Sequence, residues 1–175
     1  MAHQPSRRFK KNAIPAGLLV AAIGIAVAVW GGKQPHAPLE PDVVRRAGII
    51  AWYPDPANDG PVIDEKSLKI TQEDSDRVLT FVAKRGSQTV TFSEQAVPES
   101  MVDVPAVYDK LIESWNNYAS VEGEMGKVAL TRASKSAKQT AVFKAKGTLV
   151  FMRAESDMTN DDWRQWILSL ESLKP

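Results

Sequence analysis

Residues 138–154 read KQTAVFKAKGTLVFMRA. Two runs rich in strand-forming residues, Lys138–Ala145 and Thr148–Ala154, flank the pair Lys146-Gly147. A short connection ending in glycine between two such runs predicts a tight β-hairpin. A two-residue hairpin joins antiparallel strands, so the domain is read outward from an antiparallel centre.

Upstream, Lys127–Arg132 predicts another strand, set off by Gly123 and Gly126. Before it, Tyr108, Leu111, Ile112, Trp115 and Ala119 recur at helical spacing. Asp103 is the expected N-cap of that helix, and Pro105 fits its first turn. Earlier still, Thr89–Ser93 (TVTFS) alternates and turns Val90 and Phe92 inward. Arg77–Lys84 carries Leu79 and Phe81 on one face and Val78 and Val82 on the other, with a turn at Arg85-Gly86. Lys66–Gln72 alternates through Leu68 and Ile70, and Gly48–Pro54 is a short apolar strand stopped by proline. These strands are expected to pair antiparallel in series. Downstream, Thr159 with Asp162 three residues later forms an approximate capping box. Trp163, Trp166, Ile167, Leu170 and Leu173 then form one apolar stripe. The expected fold is α+β, an antiparallel sheet packed with two amphipathic helices.

Ahead of this domain stands Ala13–Trp30, AIPAGLLVAAIGIAVAVW, eighteen residues without a charge. As a helix it spans about 27 Å, close to the ~30 Å hydrocarbon core of a bilayer. Arg7, Arg8, Lys10 and Lys11 precede it with no acidic residue among the first twelve, and only Lys33 follows closely. The positive-inside rule then puts the N-terminus in the cytoplasm and the C-terminal domain outside the plasma membrane, as a single-pass protein. Ala26-Val27-Ala28 also forms an A-x-A-like cleavage site, so the alternative is a domain secreted after removal of the segment behind Ala28. The run exceeds the ~7–15 residues of an ordinary signal h-region, which favours retention. The expected divisions are a basic tail at 1–12, a transmembrane helix at 13–30, a proline-rich linker at 31–47 and an extracytoplasmic domain at 48–175.

Composition excludes several chemistries. The chain has no cysteine, and both histidines, His3 and His36, lie outside the domain. A His-based triad or multi-His metal site cannot form within it. From Asp42 onward 17 Lys and Arg stand against 20 Asp and Glu, a net of −3 that argues against a nucleic-acid partner. Asp55-Pro-Ala-Asn58-Asp59-Gly60 has the glycine of a calcium loop, but its third position is Ala57 and its twelfth Lys66. No cofactor or metal is expected, and no catalytic residue stands out. Paired carboxylates of an envelope-acting hydrolase are the alternative.

The order of elements resembles the PsbP-like family of α/β/α sandwiches. The resemblance rests on Trp52-Tyr53-Pro54, the mid-chain helix Asp103–Tyr118, the hairpin across Gly147 and the terminal segment Ile167–Leu173. The chain is also similar to bacterial single-pass envelope proteins that carry such a domain behind an anchor. Thr91–Pro98 (TFSEQAVP) and Gly123–Ala129 resemble their recurring segments. The resemblance implies binding or scaffolding outside the cytoplasm rather than catalysis, and it supplies no site residues.

One charge pattern is a candidate site. Lys127–Ala154 holds seven basic residues and no acidic one. Lys127, Arg132, Lys135, Lys138, Lys144 and Lys146 are the candidate anion-binding patch, and Lys138, Lys144 and Lys146 share one parity along a strand and its turn. Such a patch suits an anionic envelope polymer or lipid headgroups, while edge lysines also block strand-to-strand aggregation. The function expected is a membrane-anchored, non-enzymatic binding or structural module of the cell envelope. Its expected partners are the bilayer, through residues 13–30, and an anionic polymer or another envelope protein.

Overall fold

Side-chain alternation with period two builds the centre of the molecule. The structure, a computed structural model, describes residues 39–73 and 76–175. The segment Ala13–Trp30, the basic tail and the first part of the linker lie outside the described residues. Among the described residues no helix is long and apolar enough to cross a membrane.

Seven strands form one antiparallel sheet, ordered β2-β3-β4-β8-β7-β6-β5. They are β2 (Val62–Glu73), β3 (Asp76–Arg85), β4 (Gln88–Ala96), β5 (Asn117–Gly123), β6 (Gly126–Thr131), β7 (Thr140–Ala145) and β8 (Thr148–Ala154). The hairpin of residues 138–154 supplies β7 and β8 near the middle of the sheet. Its turn holds Lys146 at φ 49° and Gly147 at φ 81°, the left-handed geometry that matches the twist of a two-residue hairpin.

One parity of these strands makes a closed face. Phe81 stacks on Phe92 with ring centroids 4.6 Å apart, and the cross-strand row continues through Met152 to Ala141. Helix α1 (Pro41–Ala47) adds Val43, Val44 and Ala47 to this core. A two-stranded ribbon of β1 (Ala51–Pro54) and β9 (Leu170–Leu173) also packs there. Helix α4 (Asn160–Leu168) contributes Trp163, Trp166 and Ile167, all buried. Among the described residues, the opposite parity meets α2 (Glu99–Asp103) and α3 (Pro105–Ser114). There Ile112 packs with Ala129, Val142 and Leu149, with Met101, Tyr108 and Phe151 beside them.

The architecture is α+β with an antiparallel sheet, as expected, and the departures have physical reasons. Residues 41–47, expected in the linker, form α1. Pro41 starts it, and Gly48 ends it at φ 72° with its N–H donated to the Val44 carbonyl. The strand at Trp52 does not join the serial sheet. It pairs with β9, because Leu170 and Leu173 leave the helical stripe after Leu168 and turn into a strand. Asp103 is not an N-cap. It ends α2, and α3 begins at Pro105 behind Val104 with no side-chain cap. The mid-chain helix stops at Ser114, and Asn117–Gly123 becomes β5, a strand hidden in the sequence by apolar residues that also fit a helical stripe. The capping box of α4 is present, with Asp162 N–H donating to Thr159 Oγ1 and Thr159 N–H to Asp162 Oδ2.

Candidate functional site

Helix α3 is short, and its Ile112 packs over Ala129 of β6, Val142 of β7 and Leu149 at the start of β8. The β3–β4–β8 part of the same sheet face is left as an open groove of about 360 Å³. Its floor carries Thr80 from β3, Thr91 and Ser93 from β4 and Thr140 from β7. Register makes this floor continuous: Thr80 faces Ser93, Ser93 faces Phe151, and Thr91 faces Arg153. These are the residues that alternate with Phe81, Val90, Phe92 and Met152, which point to the closed core. The side-chain hydroxyls of Thr80, Thr91, Ser93 and Thr140 have no hydrogen-bond partner among the described residues.

Trp115 forms the wall. It is half-buried, and its ring lies 5.5 Å from that of Phe151 at 42°. The chain is held there by the Arg132 N–H, which donates to the Trp115 carbonyl at 2.9 Å, and by Asn116, which turns out of the helix at φ 50°. A second cavity of about 350 Å³ adjoins on the other side, sharing Trp115, Thr140 and Arg153 and adding Lys138. Arg153 is exposed and, among the described residues, makes no hydrogen bond or ion pair. Each cavity lies near the lower end of the ~300–1,000 Å³ range of ligand sites.

The six basic residues of the candidate patch do not form one surface. Lys127 lies at the start of β6, paired in register with Glu122. Lys144 reaches over the Tyr108 ring on the α3 side, 5.3 Å from its centroid. Lys146 lies over the Trp52 ring on the opposite side of the sheet, 4.9 Å from its centroid, and donates to Ser172 at 2.7 Å. The shared parity of Lys144 and Lys146 is broken by the left-handed turn at Lys146. The structure does gather Arg132, Lys135 and Lys138 in the β6–β7 loop beside Trp115. Arg132 pairs with Asp157 at 2.7 Å, and Lys138 pairs with Glu155. The hydrogen bond from Lys138 holds the Glu155 carboxyl below the usual carboxylate range. Lys135 lines a further cavity with Tyr118 and Arg132.

Two acidic features remain. Glu94 is fully buried in the closed face, in the cross-strand row Leu79–Glu94–Val150–Phe143. Its Oε2 accepts the Trp52 backbone N–H at 3.0 Å, and Oε1 has no partner among the described residues. Burial pushes its carboxyl well above the ordinary value, against the smaller opposite pull of the Trp52 N–H. Glu94 is therefore a carboxyl sealed in the core that holds its proton more tightly than an exposed one. A separate groove of about 490 Å³ is lined by Asp55, Glu124 and Glu171. Asp55 Oδ1 there accepts the Ala57 N–H, and Glu171 Oε2 accepts the Tyr53 hydroxyl at 3.1 Å. Burial, with that hydrogen bond second, raises the Tyr53 phenol to about 12. No group of three acidic or histidine side chains among the described residues is placed to hold a metal.

The groove residues were visible in the sequence only in part. Thr91 and Ser93 hold the outward parity of TVTFS, but hydroxyls facing outward are ordinary on a solvated strand. Trp115 reads as core because it shares a stripe with Ile112. Glu94 continues the inward parity of Val90 and Phe92, and that alternation was the signal that a carboxyl enters the core. Comparison with protein-family models, with curated proteins and with solved structures finds no match.

Proposed function

We propose that the chain is a membrane-anchored binding module of the cell envelope, without enzymatic activity, built on a PsbP-like domain. Residues 13–30 hold it in the plasma membrane as an uncleaved single-pass helix, with the N-terminus cytoplasmic and the domain outside. The length of the apolar run and the basic residues on its N-terminal flank support the anchor and its direction. The helices on both sides of an antiparallel sheet support the α/β/α resemblance.

The observation that carries the binding role is the open groove beside Trp115. It combines an aromatic wall, a floor of hydroxyls without a hydrogen-bond partner among the described residues, and the exposed Arg153 guanidinium, which Glu155 faces only through space. Polar groups placed around an apolar surface are what a recognition site needs to fix a ligand's orientation. The carboxylate-hydrolase alternative has less behind it. Glu94 is sealed from every described cavity, and in the acidic groove Asp55 and Glu171 each serve a local hydrogen bond.

A photo-activatable residue at Thr91 of the full-length protein tests the role in intact cells, with the same residue at exposed Arg164 on α4 as the control. Irradiation is expected to attach envelope material at Thr91 and not at Arg164; equal or absent attachment removes the binding role. Sequencing the mature N-terminus separates the two membrane readings. A chain beginning at Val29 rejects the anchor and leaves a secreted domain.

A further inference from the structure

We propose that the groove beside Trp115 binds an acidic saccharide, a glycan whose sugar units carry carboxylates. This rests on the binding role argued above and names the ligand of the same site.

The backbone of the floor is the first constraint. Thr80, Thr91, Ser93, Thr140 and Phe151 lie on β3, β4, β7 and β8, strands paired on both sides within the sheet. Their backbone donors and acceptors are committed to the ladders, so a peptide cannot be recognised there by strand addition, which needs a free edge. Recognition must come from side chains. The floor offers four hydroxyls, each able to donate one hydrogen bond and to accept others. That is the complement of a ligand rich in hydroxyls. A lipid chain would instead leave these groups buried and unsatisfied.

The wall is the second constraint. Trp115 presents an apolar ring face beside the hydroxyl floor, and it divides the two adjoining cavities of about 360 and 350 Å³. A pyranose has the matching anatomy, with C–H groups on its face and hydroxyls on its rim. An indole supplies apolar contact area with few rotatable bonds to immobilise.

Charge decides between a neutral and an acidic sugar. Arg153 lines both cavities and has no carboxylate in hydrogen-bond contact among the described residues, with Glu155 acting on it only through space, whereas Arg132 and Lys138 are directly paired with Asp157 and Glu155. A guanidinium accepts a carboxylate in a two-pronged hydrogen bond. Lys135, on the same loop as Lys138, lines the separate cavity beside Tyr118, so Arg153 is the cation shared by the two cavities at Trp115. The domain's overall net of −3 sets this local excess apart from general electrostatic attraction.

The test is calorimetric titration of the full-length protein in detergent with a uronic-acid tetrasaccharide, a neutral hexose tetrasaccharide and inorganic phosphate. The acidic tetrasaccharide is expected to bind at least about tenfold tighter than the neutral one, the scale of a hydrogen bond to a charged group. Trp115→Ala should weaken both saccharides. Arg153→Gln, an exposed change that leaves packing intact, should remove the preference for the acidic one. Equal affinity for the two sugars, a preference that survives Arg153→Gln, or displacement of the saccharide by an equal concentration of phosphate overturns the proposal. If no saccharide binds while Thr91 still cross-links to envelope material, the ligand class is wrong and the binding role stands. If both fail, both readings fall.

Discussion

The two faces of the seven-stranded sheet are made by the same strands and have opposite fates. On the closed face, Phe81, Phe92, Met152 and Ala141 form a row covered by the β1–β9 ribbon, α1 and α4. One residue along the same strands, Thr80, Thr91, Ser93 and Arg153 form a floor that no helix among the described residues covers. Even polarity does not follow the faces strictly. The closed face encloses a carboxyl at Glu94, and the open face carries apolar area at Trp115 and Phe151. What separates the faces is whether the polar groups are sealed or left with capacity to bond. That difference, rather than hydropathy, is what the proposed binding role rests on.

The sharpest way to break this comparison is to remove one phenylalanine from each side. Phe92 is fully buried, stacked on Phe81 and tilted against Trp166 at 6.4 Å, whereas Phe151 is half-buried at the groove floor. Phe92→Ala is expected to cost about 3–5 kcal/mol, the range for a large aromatic lost from a packed core. Phe151→Ala should cost about half of that or less, because solvent already reaches it and less transfer energy is lost. Urea denaturation of the two variants measures both, and equal losses would mean that the open face is as much core as the closed one.

These contrasts also show what the sequence could reveal. Period-two alternation in TVTFS and in 138–154 was enough to place Phe92, the hairpin and the antiparallel sheet, because burial on one face strongly constrains parity. The capping box at Thr159 was legible because it is local, four residues long and chemically specific. The β1–β9 ribbon was not, since it joins residues 51–54 to 170–173 and only tertiary packing decides that Leu170 leaves a helix. The groove was hidden for a similar reason. It exists because α3 ends at Ser114, and the apolar residues up to Ala119 gave no sign of that stop. The shared parity expected of Lys144 and Lys146 broke at one residue, where a left-handed φ at Lys146 sent these two cations to opposite sides of the sheet.

Glu94 gives the next largest effect, and its sign follows from linkage. Burial raises its carboxyl above the ordinary value, so the folded state holds a proton that the unfolded state has released. Stability from this group is fully present below the unfolded carboxyl range of about 4.3 and is lost as pH rises from there toward the folded value. The slope is limited to about 1.4 kcal/mol per pH unit. Glu94→Gln keeps the shape and an acceptor for the Trp52 N–H but carries no proton to lose. The variant is expected to gain on the wild type in melting temperature as pH rises above the unfolded carboxyl range of about 4.3. Parallel pH profiles for the two proteins would show that Glu94 is not held neutral.

The smallest expected effect tests the open face most directly. Thr91 and Ser93 are half-exposed, and their hydroxyls bond to nothing among the described residues. Thr91→Val and Ser93→Ala therefore remove groups that the fold does not use, and surface changes of this kind stay within about ±0.5 kcal/mol. Thr91→Val keeps a β-branched side chain on a central strand, so its strand preference is unaltered. Stability should be flat in denaturation while saccharide binding weakens in the same protein. A loss well beyond that range would mean that the hydroxyls serve the sheet after all. The open face would then be a second structural surface, and the contrast with the closed face would lose its functional meaning.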